Sequence, residues 1–271
     1  MILVFSGGGI KGIAFLGVLK ALIELDFIQY FDIFSGVSAG ALMMLLYLIG
    51  YTPDELIKII INLDLNKIKS IEFLGIFDNY GIDNGNKLMY VIKRLFKKKN
   101  IKEDITLEEF YKLTNKTFYI SVTCLTTGMN EYFCHKTHPN MSLLKAIRMT
   151  VSVPWFYTPV KHDDKLYVDG GVIDNYPISI FKDQLNDVLG IYLLECDKEN
   201  IDINNIEVYS SRVMQCLIHG LNKTMRQGYE KCTIDIHVEF INVLNYEIDK
   251  DKKIELFNKG YQTILARFSN N

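Results

Sequence analysis

Short apolar runs that stop at glycines alternate along this chain with stretches in which apolar residues return every three or four positions. Ile2–Phe5 is such a run, ending at Gly7-Gly8-Gly9, and helical spacing follows from Ile10 to Leu25. Phe31–Phe34 and the apolar stretch after Ser38 repeat the pair. Two consecutive strand–turn–helix units predict an α/β fold with a mostly parallel central sheet covered on both faces. Thr52-Pro53-Asp54-Glu55 opens a further helix, with Thr52 as N-cap, Pro53 at the first helical position and Glu55 closing a capping box. Residues 64–84 show no clean period and read as a flap or loop. Lys87–Lys99 reads as a helix ending in a basic run, and Thr106-Leu107-Glu108-Glu109 is a second capping box. Strands are predicted over Phe118–Cys124 and Glu131–His135 around a Thr126-Thr127-Gly128 turn, then over Lys165–Val168, Val188–Leu194 and Ile234–Val243. Helices are predicted over Ser142–Thr150, much of Asn205–Cys232, and Asp251–Phe268. No repeat and no Pro/Ser-rich linker interrupts this order. Residues 1–271 therefore read as a single domain, with the motifs in a core of about 3–196 and 197–271 packed on it.

Composition narrows the class. Hydrophobic residues make up 49% of the chain, enough for a sizeable core, and a net charge of −2 argues against a nucleic-acid binder. The five cysteines are odd in number and form no CxxC pair, so neither a disulfide framework nor a zinc site is expected, and a reducing compartment fits. The first residues lack the basic and apolar regions of a signal peptide, and the longest apolar stretch, Ala41–Ile49, is too short to span a bilayer. The expectation is a soluble, cytoplasmic or intracellular protein.

Three glycine motifs carry the candidate chemistry. Gly36-Val37-Ser38-Ala39-Gly40 between a strand and a helix describes a sharp turn that lifts the Ser38 hydroxyl above the sheet, with the helix dipole aimed at it. Gly7-Gly8-Gly9-Ile10-Lys11-Gly12 exposes successive N–H groups. That suits an oxyanion hole, and equally a dinucleotide phosphate cradle. The acidic residue a dinucleotide site needs at the end of the second strand is absent, because that strand ends in the serine turn. Lys11 reads as a phosphate partner, a brace for the loop, or a solvated lysine. Asp169-Gly170-Gly171 leaves a strand and reads as either a base for Ser38 or a plain Asp-Gly turn. Of the histidines, His219 falls in a predicted helix and His237 in a predicted strand, where neither suits a catalytic loop.

The set GGGIKG, GVSAG and DGG, in this order, resembles the patatin-like phospholipase family. Thr150-Val151-Ser152-Val153-Pro154-Trp155-Phe156-Tyr157-Thr158-Pro159 is similar to the segment that family carries ahead of its aspartate, and Asp169 to Pro177 is similar to the aspartate block. The resemblance implies a three-layer α/β/α sandwich and hydrolysis of lipid acyl esters by a Ser–Asp dyad, with neither metal nor other cofactor. It implies Ser38 as nucleophile, Asp169 as base and the Gly7, Gly8 and Gly9 amides as oxyanion hole, supported by Lys11, Gly12, Gly36, Gly40, Gly170 and Gly171. Lys11 departs from the arginine the family commonly has, keeping the charge but losing the planar fork.

A lipid substrate would need interfacial access. Lys93, Arg94, Lys97, Lys98, Lys99 and Lys102 surround Leu95 and Phe96, a pattern that fits peripheral contact with anionic headgroups, although a charge run is ordinarily a solvated face. Two rivals stay open. An acyltransferase would pass the same acyl group to an alcohol, and a nucleotide-binding regulatory module would use the Gly7–Gly12 loop.

Overall fold

Ile2 and Val4 face one side of the first strand and Leu3 and Phe5 the other, and all four are buried. A strand buried on both faces belongs in the middle of a parallel sheet, and that is its place in the computed structural model, which describes residues 1–72, 75–196, 202–206, 208–209, 212–213, 216–217, 220, 224, 226–239 and 248–268. β1 (Ile2–Phe5) lies between β2 (Ile33–Val37) and β9 (Val188–Cys196), parallel to both. β10 (Thr233–Glu239) extends the sheet beyond β9 and β4 (Thr117–Cys124) beyond β2, again in parallel. The far side is antiparallel: β5 (Met129–Phe133) and β8 (Lys165–Asp169) pair with β4, and β7 (Val160–His162) pairs with β8. A separate parallel pair joins β3 (Gly81–Asp83) to β6 (Trp155–Tyr157).

Helices cover the sheet. α1 (Ile13–Glu24) buries nine of its residues, and Phe15 stacks on Phe5 with ring centroids 4.3 Å apart. α2 (Ala39–Leu48) is apolar nearly all round and packs in the same cluster. α3 (Pro53–Asn62) starts at the predicted Thr52 capping box and α6 (Leu107–Thr114) at the Thr106 one, both with reciprocal side-chain bonds. α8 (Lys250–Phe268) crosses α1 so closely that a Cβ on Gly17 or Gly260 would overlap the opposing backbone, at Phe257 and Ala14 respectively. On the other face Ile2 and Val4 pack with Tyr176, Ile178, Phe181 and Tyr192. The architecture is thus α/β, with a mostly parallel central sheet flanked by helices. Among the described residues no helix is long and apolar enough to cross a membrane.

Several boundaries differ from the sequence reading. β2 begins two residues later than expected, because Ile28–Tyr30 is a 3-10 turn and the strand continues through Ser35 and Gly36, buried but carrying no apolar signal. The first helix begins at Ile13, since Gly9–Gly12 forms a 3-10 turn. The flap or loop expected at 64–84 carries secondary structure among its described residues: a 3-10 turn at Leu65–Ile68, α4 (Gly75–Asn79) and β3. α5 (Asn86–Lys98) forms as predicted, but Leu95 and Phe96 are buried in the core and cannot serve as an apolar contact among the surrounding lysines. Lys93 pairs with Glu103, and Lys99 pairs with Glu55 over the Tyr51 ring. The predicted helical stretch Asn205–Cys232 ends differently, with a turn at 226–228 and a 3-10 turn at Glu230–Cys232, while residues 207, 210–211, 214–215, 218–219, 221–223 and 225 and the strand end 240–243 lie outside the described residues.

Candidate active site

Ser38 sits at the join of β2 and α2 with φ 52° and ψ −124°. A non-glycine residue in the left-handed half of φ space is strained by an amount on the order of 1–2 kcal/mol, which the surrounding structure must maintain. It can turn so sharply because its neighbours have no side chains. A Cβ on Gly36 would lie 2.7 Å from the Ala41 nitrogen, and one on Gly40 would lie 2.9 Å from the Phe5 Cβ. The first turn of α2 begins directly after Ser38, so its N-terminal dipole favours negative charge there.

The partner carboxylate arrives through the sheet. β2 pairs with β4 up to Val37↔Ser121, and β8 pairs with β4 from Asp169↔Val122 onward. β5 runs along Ile120–Cys124 and overlaps both registers. β2 and β8 must therefore occupy the same edge of β4, running toward each other. Their C-terminal ends meet head to head, which brings Ser38 and Asp169 together. Thr150, the last residue of α7 (Leu143–Thr150), fills the join: its hydroxyl donates to the Ser121 carbonyl at 2.6 Å and accepts the Ser38 N–H at 2.9 Å. The Asp169 N–H donates to the Ser152 carbonyl at 3.0 Å.

Asp169 is buried, and its carboxylate hydrogen-bonds with the Ser38 hydroxyl and accepts the Gly171 N–H at 2.8 Å. Loss of hydration pushes it up to about 7, outweighing the two hydrogen bonds that favour its charged form. The following loop is pinned by Asp174, whose buried carboxylate accepts the Tyr132 hydroxyl at 2.6 Å and the Tyr176 N–H at 3.1 Å.

That same loop corrects one expectation. Gly7 donates its N–H to the Asn175 carbonyl at 3.0 Å, so this amide is not free to bind an oxyanion. Gly8 and Gly9 precede or open the 3-10 turn, where no intrahelical acceptor exists, and their N–H groups meet no protein acceptor among the described residues. The loop borders the serine turn, since a Cβ on Gly7 would be 3.6 Å from the Ser38 Cβ and one on Gly12 would be 2.7 Å from the Ala39 Cβ. Lys11 is not solvated: it is 2% exposed, its ammonium pairs with Glu195 near the end of β9, and burial pushes its pKa down to about 8. It braces the loop against the sheet. Gly170 packs against Ser121 and Gly171 against Asp169 and Asn175.

The histidines are occupied elsewhere. His135 stacks on Tyr111, His138 packs on Phe133, His162 contacts Lys145, and His237 is on β10, with β9 and β1 between it and β2; His219 lies outside the described residues. Sequence reading missed Thr150 as a link, the Asn175 carbonyl as the acceptor for Gly7, and the Tyr132–Asp174 pair. The signals for Thr150 were a hydroxyl at a predicted helix end and its place at the head of the Thr150–Pro159 segment.

The profile of the family described as patatin-like phospholipase matches residues 3–182, about two-thirds of the chain. The chain belongs to that family. The match takes in the glycine loop, the serine turn, β8 and the aspartate loop, and stops before β9. An uncharacterised protein of Acanthamoeba polyphaga mimivirus is 29% identical over 284 residues, covering 97% of this chain and 91% of its own. A protein of Invertebrate iridescent virus 6 named "Probable lipid hydrolase" is 29% identical over 182 residues, covering 66% of this chain and 62% of its own. Among solved structures, VipD from Legionella pneumophila shares the fold with a TM-score of 0.66 at 18% identity, over 98% of this chain and 66% of that one. The chain thus spans under two-thirds of the length of the iridescent-virus protein and about two-thirds of VipD.

Proposed function

We propose that this member of the patatin-like family is a lipid acyl hydrolase of phospholipase A type working through a Ser38–Asp169 dyad. The observation that carries the reading is the Ser38 hydroxyl set against a buried carboxylate held near neutrality, with each described histidine engaged elsewhere. Asp169 takes the Ser38 proton as Oγ attacks the ester carbonyl, and the Gly8 and Gly9 amides stabilise the oxyanion. Collapse breaks the ester C–O bond, and the departing alcohol receives the proton from Asp169. Water then attacks acyl–Ser38, giving its proton to Asp169, and the released Ser38 recovers that proton as the fatty acid leaves. A base near 7 suits this role better than an ordinary carboxylate, because it holds the proton between steps at neutral pH. The family match and the named viral lipid hydrolase support the substrate class.

Ser38→Ala and Asp169→Asn are each expected to lower hydrolysis of phospholipid and short-chain ester substrates by at least about 10³-fold, with circular dichroism unchanged. A fluorophosphonate probe should label the wild type and not Ser38→Ala. Full activity in either folded variant would remove the dyad.

A further inference from the structure

The described residues 64–72 and 75–84, with β6, form a small flap in which three side chains break the ordinary rule for a folded surface. Phe77 on α4 is 80% exposed, the highest of any large apolar side chain among the described residues, and Tyr80 and Trp155 are 64% and 52% exposed. Tyr80 and Trp155 also have φ values of 60° and 64°. They sit side by side in the pairing, since Trp155 is the register partner of Gly81, the residue after Tyr80. A bulky side chain in left-handed backbone is strained, and here the strain brings no burial in return. The fold holds two aromatic rings outward.

The flap is fixed to the candidate active site. Arg148 on α7 donates to the Asn84 carbonyl at 3.0 Å, to the Thr158 carbonyl at 2.9 Å and to the Ser152 hydroxyl. Ser152 in turn accepts the Asp169 N–H. The buried Asp83 carboxylate accepts the N–H groups of Ser70 and Gly85, each at 2.7 Å, and locks the flap internally.

Beside it runs a basic helix face. Ile92, Leu95 and Phe96 are the buried side of α5, so Lys87, Tyr90, Arg94 and Lys97 fall on the opposite side by helical spacing, and all four are exposed. The Arg94 guanidinium lies 5.8 Å from the Tyr90 ring centre, and the Lys87 ammonium donates to the Lys69 carbonyl at 2.6 Å, joining helix and flap. Residues 64–99 hold eight lysines and arginines against four aspartates and glutamates, an excess of four positive charges in a chain of net charge −2. Exposed Trp, Tyr and Phe next to clustered cations match the interface of an anionic bilayer, where rings enter the headgroup layer and cations meet the phosphates.

We propose that the Phe77–Tyr80–Trp155 flap and the outer face of α5 form a docking surface for anionic phospholipid bilayers. The surface serves the hydrolase reading above, presenting the site to its lipid, but its test is separate. Trp155 is the single tryptophan of the chain, so fluorescence excited selectively in tryptophan, away from the tyrosine absorption, reports on this surface. With vesicles of non-hydrolysable diether phosphatidylcholine containing diether phosphatidylserine, Trp155 emission is expected to shift to the blue and the protein to float with the vesicles. Phosphatidylcholine alone should give at least tenfold weaker apparent affinity. Phe77→Ser with Tyr80→Asn, and separately Lys87→Glu with Arg94→Glu, should each weaken binding to the anionic vesicles at least tenfold, while hydrolysis of a water-soluble short-chain ester stays at the wild-type rate. Unchanged Trp155 emission with anionic vesicles, or wild-type binding in both double variants, would overturn the docking surface. Ester hydrolysis without any vesicle response would sink docking alone. Vesicle binding without ester hydrolysis would uphold docking and remove the enzymatic reading.

Discussion

Thr150 has no reactive chemistry in this site, yet its buried hydroxyl completes two hydrogen bonds that nothing else in the join supplies: the Ser121 carbonyl left where β2 ends, and the Ser38 N–H. Valine has nearly the same shape and would leave both groups unpaired, at a cost of about 1–3 kcal/mol each. Thr150→Val should lower stability by that order and reduce kcat about 10- to 100-fold through misplacement of Ser38, with KM little changed. Thr150→Ser, which keeps the hydroxyl, should recover most of both, and steady-state kinetics beside thermal melts check the pair. The placement of Ser38 at a strand–helix turn and of Asp169 at a strand end was legible in the sequence, because each stands in a local glycine pattern with its own steric reason. Thr150 was not, since its role exists only where two strands meet end to end. Gly7 was misread for a similar reason: its N–H is taken by Asn175, a carbonyl from far down the chain.

Elements were legible where their signals are local. Both capping boxes, the periodic helices and the central strands stand close to where the sequence places them, because caps and apolar periods act within a few residues. The short elements inside the expected flap and its partner strand were not, because β3 and β6 are three residues each and are held by pairing with each other and by Arg148, not by any period of their own. The α1–α8 crossing is another contact without a local signal. Gly17 and Gly260 meet opposing backbone, which cannot swing aside as a side chain would. Gly260→Val is expected to force the helices apart and to cost about 2–3 kcal/mol, lowering the melting temperature by roughly 5–10 °C. A melt within a degree of wild type would show that the crossing tolerates a side chain.

For the whole molecule, the raised pKa of Asp169 is a load on folding. In the unfolded chain the group ionises near its ordinary value of 3.8, and in the folded protein only near 7. Between these values the native state binds the extra proton, so this contribution to stability is full below about pH 4 and is lost as pH rises through about 7. Asn at this position keeps an acceptor for Gly171 and a donor toward Ser38 without a charge to bury. Asp169→Asn should therefore be more stable than wild type at pH 8, by up to about 4 kcal/mol, with the difference shrinking toward pH 4. Denaturant titrations across that range test the sign. The same carboxylate should make hydrolysis by wild type rise through about pH 7 as the base form is populated.

The meeting of β2 and β8 on one edge of β4 also sets a clock. A ribosome makes the serine turn early, but Asp169 follows only after β4, β5 and α7 have emerged. At translation rates of about 5–20 residues per second, that interval is on the order of ten seconds. Throughout it the nascent chain carries a serine with no carboxylate to take its proton. Under the proposed dyad, any fragment released before β8 lacks the base, so the order of synthesis would hold the proposed centre silent until the sheet that frames it has been built.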